Sequence, residues 1–255
     1  MNNNNDPGRH LPLDGAYNVR DLGGYATLDG RETRWRTIFR AAGMSDMTSE
    51  AQQKLIDEGV QTVIDFRGKQ ELVESPNVFH DSPDVLYRHH NIIGEEIFAE
   101  WAVSPITGIP VDRLSTMYRT ILDRRGEQFR RVLATLAEPA KLPAIYHCSA
   151  GKDRTGVMTA LLLGIAGVPD DIIAEDYGLS AVYLYEPWFK LGLAPDNSTP
   201  KNYTVDDYRA QWCPPEAMLK TLRHLGDNYG GIEGYATVIG VTSEQIASIR
   251  DQLVG

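Results

Sequence analysis

The chain has 255 residues, 42% of them hydrophobic, so it is long enough to bury one sizeable core. Its formal net charge is −10 and it carries no long lysine or arginine stripe, which argues against nucleic acid as a partner and against constitutive adsorption on anionic membranes. No apolar run of about 18 residues occurs, so no stable membrane insertion is expected.

The N-terminal residues 1–13 are rich in asparagine and include the turn-forming sequence Asp6-Pro7-Gly8. They lack the apolar segment of a signal peptide. We therefore predict a disordered tail over residues 1–13, one folded domain over residues 14–255, and a cytoplasmic location. The sequence does not specify an oligomeric state.

The first half of the chain alternates between strands and one clear helix. Residues 25–40 predict short strands around the Asp29-Gly30 turn. A capping-box pattern predicts that a helix begins at Ser49, and Gly59 ends it. Residues 60–66 then form a buried strand.

The second half is richer in helices. We predict helical segments over residues 111–137 with a break near Gly126, 157–163, one opened by Pro169, 216–225 and 243–253. A short buried strand, residues 143–146, precedes the second of these helices. Two stretches, residues 92–110 and 186–206, lack a regular pattern and are candidates for a lid over a site. The alternation predicts an α/β fold with a central, mostly parallel sheet flanked by helices.

Ten residues between the strand at 143–146 and the next helix, His147 to Gly156, read H-C-S-A-G-K-D-R-T-G. The cysteine and the arginine are six positions apart with small residues between them, which is the spacing that a loop needs to wrap a phosphate. The thiol would lie at the bottom, backbone N–H groups would line the rim, and the helix beginning near Arg154 would add the positive end of its dipole. Such a field favours a thiolate, which is the nucleophilic form of cysteine.

Individual positions in this loop fit that chemistry. Cys148 would attack phosphorus and form a phosphocysteine that water later hydrolyses. Arg154 carries a planar fork that can hold two phosphate oxygens at once. Thr155 can donate its hydroxyl to the sulfur, and His147 can fix the loop by hydrogen bonds to backbone carbonyls. Gly151 permits backbone angles that a side chain would forbid.

The residues expected to bind the phosphate follow the cysteine directly; they are Ser149, Ala150, Gly151, Lys152, Asp153 and Arg154. Lys152 adds a second cation as a point charge. Asp153 would repel a phosphate unless it is protonated during the reaction, when it can give its proton to the leaving oxygen as general acid.

A buried structural cysteine beside an ordinary strand-to-helix turn is the alternative, but the complete pattern favours catalysis. The other cysteine, Cys213, is predicted to be half-buried, with a disulfide to Cys148 under oxidation as the alternative. Two cysteines give no disulfide framework, and a reducing compartment suits a thiolate enzyme. The histidines are scattered, so neither a metal site nor a cofactor is predicted.

The loop resembles the signature of cysteine-dependent protein tyrosine phosphatases. Three further stretches match the bacterial atypical tyrosine/serine phosphatases; they are Asn18 to Tyr25, Val63 to Arg67 followed by Glu71, and Asp176-Tyr177 with Ser180. The resemblance runs from about residue 14 to the C-terminus. It implies a tyrosine-phosphatase-like catalytic domain whose substrates are phosphorylated proteins or phosphoinositides. Some relatives are exported, so the resemblance also allows leaderless secretion.

The resemblance bears on the general acid as well. Members of this family lack the mobile loop that carries the acid in larger tyrosine phosphatases, and Asp153 is the suggested replacement. Asp65, at the end of a neighbouring strand, is the competing candidate and could also contact the substrate. The alternative for Asp65 is a structural ion pair with Arg67. Arg20 and Asp21 are expected to support the loop rather than to act directly.

The loop also bears on the substrate. Lys152 resembles the lysine of tensin-type lipid phosphatases, and Asp153 resembles the aspartate that precedes the arginine in the myotubularin type. Lys152 could bind a second phosphate of an inositol ring, or it could be a solvated charge on the rim. We expect phosphotyrosine hydrolysis, with phosphoserine/threonine and phosphoinositides as further substrates. The alternatives are a phosphoinositide phosphatase, a non-catalytic pseudophosphatase and a rhodanese-like sulfur transferase.

Overall fold

The computed structural model describes residues 8–102, 110–190 and 202–255. Its five-stranded sheet consists of β1 (Arg20–Asp21), β2 (Ile38–Ala41), β3 (Thr62–Asp65), β4 (Leu86–His89) and β5 (Ala144–His147). The strand order is β1-β2-β5-β3-β4. Only β1 and β2 pair antiparallel, and the other pairs are parallel. The predicted mostly parallel sheet is therefore confirmed.

Eleven α-helices lie in the described parts of the chain. They are α1 (Ser49–Asp57), α2 (Lys69–Glu74), α3 (Glu95–Ala102), α4 (Val111–Leu136), α5 (Asp153–Ile165), α6 (Asp170–Gly178), α7 (Ser180–Lys190), α8 (Val205–Trp212), α9 (Pro215–Tyr229), α10 (Ile232–Val238) and α11 (Ser243–Leu253). None of the helices within these ranges has the length and apolar character needed to cross a bilayer.

Alternate residues of the central strands face two separate cores. On one face, Ile64 and Tyr146 join the larger cluster with residues of α4, α5, α6 and α9. On the other face, Val63 and Ile145 join a smaller cluster with Leu55 of α1. Helix α5 is apolar on all sides and buried along its length, as expected of a helix that runs through the centre of a domain. It begins directly after the loop that follows β5, so the core holds that loop at its C-terminal end.

Several predicted boundaries need correction. Helix α1 is capped by Thr48, whose hydroxyl accepts from the Ala51 N–H at 3.2 Å, rather than starting from a capping box at Ser49. The break in α4 lies at Arg125, as predicted near Gly126. The sequence pattern missed α10 and, within residues 92–110, missed α3. Within residues 186–206, the pattern missed the end of α7 at 186–190 and the start of α8 at 205–206. Residues 103–109 and 191–201 of the two candidate lids lie outside the described residues.

The predicted disordered tail is wrong at its C-terminal end, while residues 1–7 lie outside the described range. Arg9 is only 1% exposed, and its guanidinium lies 3.8 Å from the centre of the Tyr25 ring. It also donates to the carbonyl oxygen of Asp21 at 3.2 Å. Leu13 is buried in the smaller core. The folded domain therefore begins before residue 14, because a cation–π contact and apolar burial hold this segment down.

A buried ionic cluster joins the N-terminal strands to α6. Arg20 of β1 donates through Nε to Asp176 Oδ1 at 3.1 Å, and Arg40 of β2 pairs with Asp176 Oδ2. The Tyr25 hydroxyl donates to Oδ1 at 2.7 Å, and all three charged side chains are fully buried. Burial alone would raise the pKa of Asp176, but the two guanidinium groups outweigh it and hold that pKa well below its usual range.

Replacing Asp176 by alanine leaves two buried guanidinium groups without their carboxylate. We expect Asp176→Ala to lower the free energy of unfolding by about 3–5 kcal/mol, the cost typical of breaking a buried ion pair. Urea denaturation measures it. Asp171→Ala, at an exposed position of the same helix, is the control and should change stability by less than about 1 kcal/mol. Equal losses in both variants would show that the cluster contributes no more than a surface carboxylate.

Candidate active site

The loop after β5 lies at the carboxyl edge of the sheet, where parallel strands of an α/β fold present their ligands. Register pairs His147 with both Ala41 of β2 and Asp65 of β3, so the segments that follow these three strands meet at one place. Cys148 is the first residue after β5 and is 2% exposed. Helix α5 begins at Asp153, so its positive end faces the same loop.

Three successive backbone carbonyls of this loop are held from outside. The carbonyl of Ser149 accepts from the N–H of Gly43 at 2.7 Å. The carbonyl of Ala150 accepts from Asn18 Nδ2 at 3.2 Å. The next carbonyl, that of Gly151, accepts from Asn18 Nδ2 at 2.9 Å and from Arg40 Nη2 at 2.8 Å.

This arrangement fixes the direction of the loop's N–H groups. In a planar trans peptide the C=O and the following N–H point in opposite directions. With the carbonyls of residues 149–151 turned outward, the N–H groups of residues 150–152 turn into the loop. Within the described ranges, no backbone carbonyl accepts a hydrogen bond from the N–H groups of residues 149–154. The loop therefore presents an array of free donors, which is an anion-binding concavity.

The turn of this loop depends on Gly151, whose φ is +65°. A Cβ at this position would lie 2.3 Å from the carbonyl oxygen of Ala41, a distance that no side chain can occupy. Gly151 therefore allows both the left-handed backbone and the close packing of the loop on the end of β2.

The hydrogen bonds predicted for His147 and Thr155 are present. His147 is fully buried, and its Nδ1 lies 2.9 Å from the carbonyl oxygen of Cys148, to which it donates. The Thr155 hydroxyl donates to Cys148 Sγ at 3.2 Å. A donor at this distance can stabilise negative charge on the sulfur.

The guanidinium of Arg154 forms an ion pair with a carboxylate on the segment that follows the neighbouring strand β3. Glu71, on α2 directly after β3, accepts from Arg154 Nη1 at 2.6 Å and from Nη2 at 2.8 Å. Glu71 also accepts from the Ser149 hydroxyl and, at 2.7 Å, from the N–H of Gly68. Burial favours the neutral acid, but the hydrogen bonds and charge of Arg154 outweigh it and hold the pKa of Glu71 at about 2. An ionised carboxylate therefore fixes the plane of the guanidinium.

Lys152 and Asp153 form a second charged pair on the other side of the loop. Lys152 Nζ donates to the Trp212 carbonyl at 2.7 Å and lies 3.2 Å from Asp153 Oδ1. Burial opposes the charged ammonium, but the nearby Asp153 carboxylate outweighs it and raises the pKa of Lys152. Of the two alternatives for Lys152, the solvated rim charge is therefore wrong, because Lys152 is only 6% exposed. Its ammonium is turned toward α8 rather than displayed for a second phosphate.

Comparison with known proteins shows the family to which the protein belongs. Residues 11–255 match the model of the family described as the tyrosine phosphatase family. A tyrosine-protein phosphatase of Nostoc commune is 31% identical over an alignment of 224 positions that covers 85% of this chain and 74% of that protein. The triple specificity protein phosphatase PtpB of Mycobacterium tuberculosis is 25% identical over an alignment of 286 positions that covers 97% of this chain and 99% of that protein.

A putative tyrosine-protein phosphatase of Cupriavidus necator is 30% identical over an alignment of 179 positions that covers 67% of this chain and 63% of that protein. The chain belongs to the tyrosine phosphatase family. The resemblance read from the signature loop is confirmed, and with it the phosphatase class of the enzyme.

The stretches that carried the resemblance converge on the phosphatase loop. Asn18 holds two loop carbonyls and accepts a hydrogen bond from Arg20, which in turn contacts Asp176 and, at 3.4 Å, the Ser180 hydroxyl. Glu71, of the second of these stretches, binds the loop arginine. Arg20 and Asp21 contribute to scaffolding as predicted, since Asp21 accepts from the backbone N–H groups of residues 23 and 36.

Asp65 does not contact the phosphate site, which corrects its prediction as a substrate-binding residue and as the competing general acid. It is fully buried behind His147, with Oδ2 3.2 Å from His147 Nε2 and 2.7 Å from Arg67 Nη2. Burial would raise the pKa of Asp65, but His147 and Arg67 outweigh it and hold that pKa far below its usual range. A buried carboxylate committed to these two partners is not placed to deliver a proton to a substrate, so the structural ion pair with Arg67 is the alternative that fits the structure.

Several residues whose side chains contact the loop had no role assigned to them from the sequence. They are Asn18 and Arg40 beneath the carbonyls, Glu71 on the arginine, and Tyr118, whose hydroxyl donates to Asp153. Asn18 and Glu71 belong to stretches that match the family. Arg40 carried a different signal, because it lies in the otherwise apolar run Ile38–Ala41 and a charge inside a buried strand requires partners. Tyr118 carried none, because a tyrosine on a long helix is an ordinary core residue.

Cys213 is fully buried rather than half-buried as predicted. Burial raises the pKa of its thiol to about 12, so at neutral pH it is neither accessible nor ionised.

The role of Glu71 can be tested by removing its charge alone. Glu71→Gln keeps an acceptor for the Gly68 N–H but loses the charge-assisted pair with Arg154. We expect kcat/KM and vanadate affinity to fall by roughly tenfold, the equivalent of a charge-assisted hydrogen bond of about 1.5 kcal/mol. Glu74→Gln, on the exposed side of the same helix, is the control. A rise in vanadate affinity would show instead that the carboxylate competes with phosphate for the arginine.

The two cysteines should differ in reactivity. Iodoacetamide at neutral pH is expected to alkylate Cys148 in the folded protein, with protection by inorganic phosphate, and to leave Cys213 unmodified until urea unfolds the chain. Peptide mass spectrometry after timed quenching measures both sites. Labelling of Cys213 at the rate of Cys148 in the folded protein would contradict its burial.

Proposed function

We propose that this phosphatase hydrolyses phosphomonoesters through a phosphocysteine formed on Cys148, with Asp153 as general acid and then general base. The observation that carries the proposal is the orientation of the loop. Three carbonyls are held outward, free N–H groups are directed inward, and the cysteine and arginine lie at the two ends of the same array. Donors arranged in advance around a developing charge are usually the largest single contribution to catalysis.

In the first step the Cys148 thiolate attacks phosphorus while the bond from phosphorus to the leaving oxygen breaks. The inward N–H groups and Arg154 bind the phosphoryl oxygens in this step. Asp153 gives its proton to the leaving oxygen. In the second step water attacks the phosphocysteine, Asp153 takes a proton from that water, and the thiolate leaves. The Thr155 hydroxyl, 3.2 Å from the sulfur, stabilises the departing thiolate.

We propose phosphotyrosine as the main substrate, with phosphoserine/threonine and phosphoinositides as further substrates. The relative from Mycobacterium tuberculosis is named a triple specificity phosphatase, which supports a broad range for this chain. A phosphoinositide as main substrate is the second candidate, supported by the loop cation Lys152. It is disfavoured here because the ammonium of Lys152 is committed to the Trp212 carbonyl and to Asp153.

Two neighbouring alternatives are less well supported. A pseudophosphatase would lack the nucleophile, the arginine or a usable acid, and this chain has Cys148, Arg154 and Asp153. A sulfur transferase of the rhodanese kind has no need of the Asn18 and Arg40 contacts to the loop. Cytoplasmic location, the absence of a nucleic-acid partner and the absence of a cofactor stay predictions.

Phosphate release from three substrates in one chelator-containing buffer tests the proposal. The substrates are a phosphotyrosine peptide, a phosphoserine peptide and a phosphoinositide. We expect the phosphotyrosine peptide to turn over fastest, Cys148→Ser to abolish turnover while retaining phosphate binding, and Arg154→Lys to lower kcat/KM by about 10²–10³. Turnover by Cys148→Ser would exclude the phosphocysteine, and a faster rate on the lipid would reverse the order of substrates.

A further inference from the structure

A series of hydrogen-bonded tyrosine hydroxyl groups connects the core to Asp153. The hydroxyl of Tyr118, on α4, donates to Asp153 Oδ1 at 2.5 Å. The hydroxyl of Tyr177, on α6, lies 2.7 Å from that of Tyr118. Lys152 Nζ lies 3.2 Å from the same Oδ1. Two donors from different parts of the fold therefore converge on one oxygen of the carboxylate.

The direction of each hydrogen bond in this series follows from what each group can donate and accept. An ionised carboxylate only accepts, so the single hydroxyl proton of Tyr118 is directed to Asp153. The contact between the two tyrosines then requires that Tyr177 donate to Tyr118. Both tyrosines remain neutral donors, because burial and the nearby Asp153 charge raise the pKa of each well above its ordinary value.

Gly156, the last residue of the loop signature, leaves room for the Tyr177 ring and so allows its hydroxyl to join this hydrogen-bond series. A Cβ at Gly156 would lie 2.9 Å from Cδ2 of the Tyr177 ring, so only glycine lets the ring lie this close to the first turn of α5. The two tyrosine rings meet edge to face, with centroids 5.9 Å apart. The last position of the loop signature is thereby connected to the residue at its seventh position, Asp153.

We propose that Tyr118 is a positioning residue for the general acid: it holds Oδ1 of Asp153 so that Oδ2 carries and delivers the proton. This inference rests on the proposed function. Because Oδ1 already accepts from Tyr118 and faces Lys152, a proton on the acid form belongs on Oδ2. As the sulfur–phosphorus bond forms and the phosphorus–oxygen bond breaks, that proton passes to the leaving oxygen. Oδ2 later takes a proton from the attacking water, and the phosphocysteine breaks to thiolate and phosphate.

The titration of Asp153 depends on every ionisable group that faces it. These groups are Lys152, Arg154, Tyr118, Tyr177, Tyr208 and Cys213. Removing the Tyr118 hydroxyl takes away a donor to the charged form, so the acid should hold its proton to higher pH.

Kinetics of Tyr118→Phe test the inference. For a phosphoserine peptide, whose alkoxide needs a proton in order to leave, kcat/KM should fall about tenfold, because a misplaced general acid loses much of its contribution. For p-nitrophenyl phosphate, whose phenolate leaves unaided, the fall should be less than about threefold. The basic limb of the pH profile of kcat/KM should move up by about half a pH unit or more. Equal losses on both substrates with an unmoved limb would overturn the inference.

Three further variants separate positioning from general damage to the fold. Tyr235→Phe removes a buried hydroxyl that donates to the Leu122 carbonyl on the same long helix, and should leave both substrates unaffected. Tyr177→Phe should change both substrates in the same direction as Tyr118→Phe, but less. In an Asp153→Asn background Tyr118→Phe should have no further effect on the phosphoserine peptide. Additive losses in that cycle would contradict the inference.

A measurement without turnover keeps the inference separate from the proposed function. Carboxyl ¹³C NMR, with the Asp153 signal assigned by its loss in Asp153→Asn, follows the titration of this group in the vanadate-bound protein. Tyr118→Phe should shift the midpoint upward and Tyr235→Phe should not. An unchanged midpoint overturns the positioning role even if the enzyme is active. A shifted midpoint in a protein that hydrolyses no phosphomonoester would retain the contact and reject the function.

Discussion

The outward direction of three loop carbonyls is the constraint on which the phosphate site depends. A glycine-rich loop in isolation has no reason to turn every C=O the same way, since its free dipoles repel one another when they are aligned. Here Asn18, Arg40 and the N–H of Gly43 supply donors at the outer side. Those donors come from the segment before β1, from β2 and from the segment after β2, so a loop near the middle of the chain owes its conformation to residues more than a hundred positions away.

Charge beneath and around the loop is distributed so that each cation has a partner and the site keeps its field. Arg20 and Arg40 share Asp176, which leaves one net positive charge buried under the loop. Arg154 is held by Glu71 at the rim, and Asp65 is held away from the site by Arg67 and His147. The acidic chain, with a net charge of −10, thus concentrates cations where a phosphate would bind.

The phosphate-binding loop could be predicted from the sequence because its residues are contiguous. The strand before it and the helix after it could be predicted from local patterns. The mostly parallel sheet followed from the alternation of apolar runs. The partners of the loop were harder to predict, since nothing in the spacing of Arg40, Glu71 or Tyr118 relates them to Cys148. Asp65 was misassigned because position at a strand end does not reveal depth. Only the register of β3 against β5 places it behind His147. Short helices such as α3 and α10 were missed because they hold too few turns for a clear period.

Two carboxylates lie at this loop, Glu71 beside it and Asp153 within it, and their hydrogen-bond partners differ. Both oxygens of Glu71 accept hydrogen bonds, from the two terminal nitrogens of Arg154 and from the Ser149 hydroxyl. Asp153 has its donors gathered on Oδ1, from Tyr118 and Lys152. A carboxylate held at one oxygen keeps its orientation while the other oxygen can exchange a proton. The asymmetry of contacts, rather than the identity of the residue, therefore separates the carboxylate that orients the arginine from the one that we propose as general acid.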